Sequence, residues 1–375
     1  MNRLSISNFS KERREKFLVW AILMAFLSVA ALEIAVSQNA YLWKRLVIDP
    51  SHNGQVFNGD LYGMSLVSDF QDRIVELPET DGITTIDKAK YIPFGDSFFA
   101  TGYDSPPVFD FLQSKLSGGV YYHSFPVDPT PFSHLSQAGY QKGAPKVLIW
   151  ETAEFYSIDR ALVAGASAGL AGTASTSLKA KLSGLISRVG NFLAFFKPNR
   201  GREEYFVENN ILVEPLRAWL KTKAFEWFGD IDGQTPIYST NPKMLFLNDD
   251  VTFRENTGKI AQIPELADNI AKVALVLKHD YNLQLVYMVV PNKLSVYADW
   301  LNQPNPYAYD NYIPLLQKAL ADRGVTYVDV YSAYVQAKQK NPSQLLYYPG
   351  DHHFTPLGKT ILEDALLKKL QSLPG

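Results

Sequence analysis

Cysteine is absent from this 375-residue chain, and that absence removes three kinds of chemistry at once. There is no disulfide framework, no thiolate metal site and no cysteine nucleophile. Charge of one sign is also lacking, since 36 basic residues against 38 acidic ones leave a formal net charge of -2. Nucleic acid wants a basic face, and no Lys/Arg block occurs outside the N-terminus, so it is not an expected partner. Histidine is scarce: six in all, scattered except for His352-His353, which argues against a clustered zinc site. No metal and no cofactor is expected. What the chain does have is core-forming material. A hydrophobic share of 46% over this length suits one large α/β domain or two smaller ones.

One long hydrophobic run stands out. Phe17 to Leu32 is apolar, and Ile34-Ala35-Val36 carries it past Glu33 to about the 20 residues a membrane span needs. Ahead of it lie Arg3 and the stretch Lys11-Glu12-Arg13-Arg14-Glu15-Lys16. That basic excess predicts a cytoplasmic tail over 1–16, a signal anchor over 17–37, and export of everything after it. A cleaved signal peptide ending at Ala35-Val36-Ser37 is the rival, but the run is longer than a usual signal core. The expected location is therefore a bacterial inner membrane, crossed once, with the remaining domain outside the cytoplasm. Lipid is the first expected partner, and Trp43, Lys44 and Arg45 would sit at the outer interface.

Residues 38–89 read as a membrane-proximal linker, broken by Gly54, Gly59 and Gly63. From 90 to 375 the pattern is strand, turn, helix, repeated. Lys90–Phe94, Lys146–Trp150, Met244–Leu247, Leu283–Val290 and Val325–Val330 are short apolar strands. Ile263–His279, Tyr312–Ala321 and Pro356–Leu370 are amphipathic helices. Strands apolar along their whole length, alternating with such helices, predict an α/β fold: a parallel sheet with helices on both faces. Residues 161–235 break the rhythm and read as a helical insertion. Ala161 to Ser177 is small-residue helix, suited to packing on the domain. Leu182 to Phe196 is amphipathic, with Arg188 and Lys197 flanking its apolar end, and could lie on a membrane or a membrane partner. Glu203 to Phe228 reads as one long helix with Trp219 and Trp227 on one face.

Two distant phrases carry chemistry. Gly95-Asp96-Ser97-Phe98 follows the first strand, and Asp351-His352-His353 precedes the last helix. Serine acyl chemistry needs a hydroxyl, an imidazole to take its proton and a carboxylate to fix the imidazole tautomer. In an extended loop, Asp-x-His spacing puts Asp351 and His353 on one side and His352 on the other. Ser97 is thus the expected nucleophile, His353 the base and Asp351 its orienter, with His352 as competitor. Plain alternatives exist: Ser97 as a helix cap, and Asp351 as a cap for the helix opening near Pro356. Lys293 and Tyr297, after a strand-ending Pro291-Asn292, could approach the site, Lys293 to bind an acidic sugar or stabilise charge. Trp150 and Glu151 could line a sugar cleft, although a buried Trp at a strand end is equally ordinary.

Four phrases together resemble a known family. Gly95-Asp96-Ser97-Phe98, Val147-Leu148-Ile149-Trp150-Glu151-Thr152-Ala153-Glu154, Val290-Pro291-Asn292-Lys293-Leu294-Ser295-Val296-Tyr297 and Asp351-His352-His353-Phe354-Thr355-Pro356-Leu357-Gly358 look like the SGNH-type domain of the alginate O-acetylation proteins AlgJ and AlgX. The likeness spans most of 90–160 and 236–372. In that family the Asp-x-His phrase precedes the serine phrase; here it follows, as in ordinary SGNH esterases. The Gly-x-Asn-Asp phrase that gives SGNH esterases an oxyanion donor is missing, and Glu151 and Thr152 stand in its region. The resemblance implies an exported O-acetyltransferase acting on an exopolysaccharide, supplied with acetyl by a membrane-bound O-acyltransferase. A carbohydrate esterase of the same fold and a non-catalytic polysaccharide-binding scaffold are the alternatives.

Overall fold

The computed structural model describes residues 16–25, 27–28, 31, 56–57, 59–61, 63–77, 85–121, 130–144, 146–171, 214–231, 233–301 and 305–373. The chain divides into two units, one of residues 1–49 and 177–217 and one of 50–176 and 218–375. In the first, residues 16–25, 27, 28 and 31 are helical, with exposed apolar side chains such as Phe17, Trp20 and Leu23. The rest of the expected anchor lies outside the described residues. Among the described residues, no helix is long and apolar enough to cross a membrane.

The second unit is built on a parallel sheet. Its strands are β3 (Tyr91–Phe94), β4 (Lys146–Ala153), β7 (Leu283–Val290) and β8 (Thr326–Val328), in the order β3-β4-β7-β8. Two short antiparallel pairs lie apart from it: β1 (Val56–Phe57) with β2 (Ile74–Val75), and β5 (Ile237–Thr240) with β6 (Lys243–Phe246). Every residue of β4 is buried, and all of β7 but Gln284. Such strands must be covered on both sides. Val147, Ile149, Val286 and Met288 enter one apolar cluster, and Leu148, Trp150, Leu285 and Tyr287 enter another.

The helices are α1 (Ser97–Ala100), α2 (Val108–Lys115), α3 (Pro131–Gln137), α4 (Ser157–Ala171), α5 (Glu214–Phe228) and α6 (Asn248–Glu255). They continue with α7 (Lys259–Tyr281), α8 (Lys293–Tyr297), α9 (Tyr312–Ala321), α10 (Val330–Lys340) and α11 (Pro356–Gln371). The first cluster is closed by α2, α10 and α11 and the second by α4, α7 and α9. This is the α/β arrangement expected, with helices on both faces.

Several expectations shift. The strand expected at Met244 is β6, and it joins no parallel sheet: Asn241-Pro242 turns it straight back on β5 as a hairpin. The strand expected over Val325–Val330 stops at Val328, because the Asp329 side chain accepts a hydrogen bond from Ser332 N and starts α10. The small-residue stretch from Ala161 belongs to the domain itself. Ala161, Ala164 and Ala168 are buried, and a Cβ on Gly165 would lie 2.3 Å from Asn269 Oδ1 on α7, so the α4 backbone packs directly on that side chain. Nor is 38–89 all linker, since Leu61, Met64, Val67 and Phe70 form a core cluster with Leu245. Of the long helix expected over 203–228, only α5 is described, with Trp219 and Trp227 exposed. The amphipathic segment 182–196, and residues 203–213, lie outside the described residues.

Candidate active site

The serine turn sits where β3 stops and β4 does not. Phe94 pairs with Trp150, so Glu151, Thr152 and Ala153 extend three residues beyond the end of β3. The turn folds onto that extension. Asp96 N donates to Glu151 Oε2 at 2.7 Å, and Ala153 N donates to Asp96 Oδ2 at 2.8 Å. A Cβ on Gly95 would lie 2.3 Å from Glu151 Oε2, so a glycine lets the backbone come this close. Asp96 also caps α1, its Oδ1 accepting from Phe98 N at 3.2 Å, and pairs with Arg160 Nη1 at 3.1 Å. Capping therefore falls to Asp96, and the half-buried Ser97 is relieved of it. Beneath the turn, burial and then the neighbouring Asp96 charge push the Glu151 carboxyl well above the usual carboxylate range.

The histidine lies in an irregular loop between α10 and α11. His353 Nδ1 is 2.7 Å from Asp351 Oδ1, and the His353 backbone N–H donates to the same oxygen at 2.7 Å. The ring is buried, and its Nε2 has no hydrogen-bond partner among the described residues. Thr355 caps α11, its Oγ1 accepting from Gly358 N at 3.3 Å, so Asp351 is free for the imidazole. The two phrases meet through Phe98, the residue after Ser97. Its ring lies 5.1 Å from that of His353 and 5.2 Å from that of Phe354, centroid to centroid.

His352 does not point away, as an extended loop would have it. Its ring lies against that of His353, with centroids 3.9 Å apart. The cause is Asp60, which the sequence reading passed over inside a supposed linker. Asp60 N donates to Asp351 Oδ2 at 2.9 Å, and its Oδ1 accepts from His352 N at 3.1 Å. Its Oδ2 pairs with His352 Nδ1. Burial works against charge on both groups, but their mutual attraction prevails. The His352 imidazole is raised to about 9, and the Asp60 carboxyl is held below its usual range. A sequence signal did exist: Gly59, whose φ of +107° and approach to Gly350 O (2.4 Å from a built Cβ) dock this segment on the histidine loop.

Asp60, Asp351, His352 and His353 offer four ligand-type atoms within 4.8 Å of one another. Two nitrogen or oxygen atoms bound to one zinc ion, at about 2.1 Å each and near the tetrahedral angle, stand more than about 3 Å apart. The 2.7 Å between Asp351 and His353 is shorter than that and suits a shared proton. The cluster is two Asp-His pairs side by side.

The remaining candidates serve the scaffold. Lys293 is 1% exposed, and its Nζ donates to Tyr348 O at 2.5 Å, Pro349 O at 2.9 Å and Asp351 O at 3.0 Å. All three of its hydrogens are spent on the histidine loop, leaving none for an acidic sugar. Tyr297 is buried, its hydroxyl oxygen accepting from Leu346 N at 2.8 Å. Trp150 packs edge-on against Tyr287 in the core, and both it and Glu151 lie within β4 with no exposed surface, so neither lines a cleft.

Residues 239–374 match a family described as the SGNH hydrolase-like domain of acetyltransferase AlgX. The resemblance read from the sequence is borne out over this segment, which holds Lys293, Tyr297 and the whole histidine loop. Ser97 and Asp60 precede it. No curated protein and no solved structure matches. An SGNH hydrolase-like domain supports acyl-transferring or esterase chemistry on a polysaccharide.

Proposed function

We propose that this chain is an O-acetyltransferase that acetylates an exopolysaccharide through an acyl group carried on Ser97. The observation that carries this is the state of His353. Asp351 holds its Nδ1, its Nε2 is buried and unpartnered among the described residues, and it packs on the residue that follows Ser97. With Nδ1–H donating to Asp351, the Nε2 lone pair is free to accept a proton.

The Ser97 hydroxyl oxygen attacks the acetyl carbonyl while His353 Nε2 takes its proton. Collapse of the tetrahedral intermediate breaks the bond to the donor's oxygen, which leaves with the proton that His353 returns. A sugar hydroxyl then attacks the Ser97 ester, again losing its proton to His353, and the acetyl leaves on the sugar as Ser97 is reprotonated. The oxyanion needs donors. We assign the Ser97 backbone N–H as one and His352, kept protonated by Asp60, as the second, in place of the missing Gly-x-Asn-Asp phrase.

The acetyl donor in this reading is a membrane-bound O-acyltransferase, because acetyl-coenzyme A is not available outside the cytoplasm. The exposed apolar side chains of the helical residues 16–25 favour a lipid-anchored, extracytoplasmic placement. The test is polymer acetylation in cells carrying the full chain or its Ser97→Ala variant. Loss of acetylation with a folded variant is expected, and normal acetylation contradicts the proposal. With purified protein and an acetyl ester, transfer product appearing only with added oligosaccharide fits transfer. Equal hydrolysis with and without sugar instead identifies an esterase.

A further inference from the structure

A concavity opens between the segment that follows β7 and helix α10. It has a volume of about 430 Å³, within the range of small-molecule sites. Ser295, Val296 and Asp299 line it from the chain that follows β7, and Tyr331, Val335 and Lys338 from α10, which follows β8. β7 and β8 lie two and three strands from β3 in the sheet, so the strands that lead into the pocket stand about 10 and 14 Å from the one that delivers Ser97. The pocket and Ser97 both sit at carboxyl ends of parallel strands, where open α/β sheets hold their ligands.

The lining is aromatic and polar, with its charges matched. Tyr309 and Tyr331 are half-exposed, their ring centroids 4.7 Å apart and their planes inclined by 35°. The Arg254 guanidinium backs Tyr309 at 4.6 Å and is occupied by Asp310 and Ser295 Oγ. Lys338 pairs with Asp299, donates to Val296 O at 2.7 Å and lies over the Trp300 ring at 5.0 Å. Among the described lining residues the one cation, Lys338, is thus paired, and its Asp299 partner has a side chain 67% exposed. With Lys338 and Asp299 paired at its wall, such a surface has no free cation to hold an acidic ligand among the described lining residues. Amphipathic ring faces beside hydrogen-bond acceptors suit a sugar, whose C–H faces stack and whose hydroxyls donate.

We propose that this pocket is an acceptor subsite that holds an uncharged sugar residue of the polymer while another residue is presented to Ser97. The proposal rests on the reading above that the chain acts on a polysaccharide, and it narrows that class to neutral glycans. The test is calorimetric titration of the full chain in detergent, carrying Ser97→Ala so that nothing is consumed. The probes are neutral hexasaccharides of gluco, manno and galacto configuration and a uronate hexasaccharide of equal length. At least one neutral probe is expected to bind tenfold or more tightly than the uronate. Val335→Trp, which fills the pocket, and Tyr331→Ala, which removes a stacking face, should each weaken that binding at least tenfold with unchanged thermal unfolding. Tighter binding of the uronate, binding of no neutral probe by folded protein, or binding indifferent to Val335→Trp would each overturn the subsite. The two proposals fail separately. Glycan binding by a protein whose wild type neither transfers nor hydrolyses acetyl overturns the catalytic reading alone. Ester turnover without glycan binding overturns the subsite alone.

Discussion

The two halves of the site are held in place by different means. The serine turn is an extension of the sheet: β4 outruns β3, and Glu151 and Ala153 on that overhang fix Asp96 through two short hydrogen bonds. The histidine loop has no regular element of its own. Lys293 from α8 grips three of its carbonyls, Asp72 accepts from Gly350 N at 2.6 Å, and Asp60 reaches Asp351 and His352. A turn at a strand end inherits rigidity from its ladder, whereas an irregular loop must be tied by side chains from distant segments. The histidine side should therefore be the more sensitive to single substitutions.

The largest effect is expected at Lys293. Lys293→Met fills similar space but takes the ammonium donor from Tyr348 O and Asp351 O, while Pro349 O keeps Leu245 N, and should cost about 3–5 kcal/mol of stability along with most of the ester turnover. Urea unfolding and a hydrolysis assay check this. Stability within about 1 kcal/mol of wild type would mean the loop is not held as described.

Asp60→Asn should come next, and its effect should depend on pH. The His352 imidazole is raised to about 9 from an ordinary value near 6.5. Between those values the folded state binds more protons than the unfolded one, so stability falls as pH rises through this window. The pair's contribution is complete between about pH 4 and pH 6.5, is lost in acid as the Asp60 carboxylate protonates, and is gone above pH 9. Asp60→Asn should cost about 2–3 kcal/mol at pH 6 and far less at pH 10, flattening the slope between them. Denaturant unfolding at a series of pH values reads this directly. A parallel downward shift at every pH would assign Asp60 a packing role alone.

Glu151→Gln should have the smallest effect. Burial disfavours the charged form of Glu151, and an amide of the same shape can accept from Asp96 N, so stability should stay within about 1 kcal/mol. Glu151→Ala, which orphans that N–H and opens a void, should cost about 2–3 kcal/mol. Equal damage from both variants would show that Glu151 acts as a charge.

Legibility in the sequence followed the same division. The apolar runs Tyr91–Phe94 and Leu283–Val290 and the helices Tyr312–Ala321 and Pro356–Gln371 could be read nearly to the residue, because their periodicity is local. Ser97, Asp351 and His353 were visible as phrases. Asp60 was not, because its role comes from a contact across 291 positions and its surroundings are glycine-rich. Lys293 and Tyr297 stood out as candidates to bind substrate, whereas their polar atoms bond the backbone at Tyr348, Pro349 and Asp351 and at Leu346. A lysine after a strand reads the same whether its ammonium faces solvent or three carbonyls, and only packing decides. Glu151 was sought after its strand because sequence could not show that β4 runs three residues further than β3.

Mass spectrometry of the acyl-enzyme tests the central claim most directly. The full chain would be exposed briefly to an activated acetyl ester, quenched in acid and digested. The account predicts one acetyl group on the peptide containing Ser97, absent from the Ser97→Ala variant and cleared faster when oligosaccharide is added. A folded, ester-hydrolysing protein that carries no acetyl there, or carries it on another residue, would contradict it.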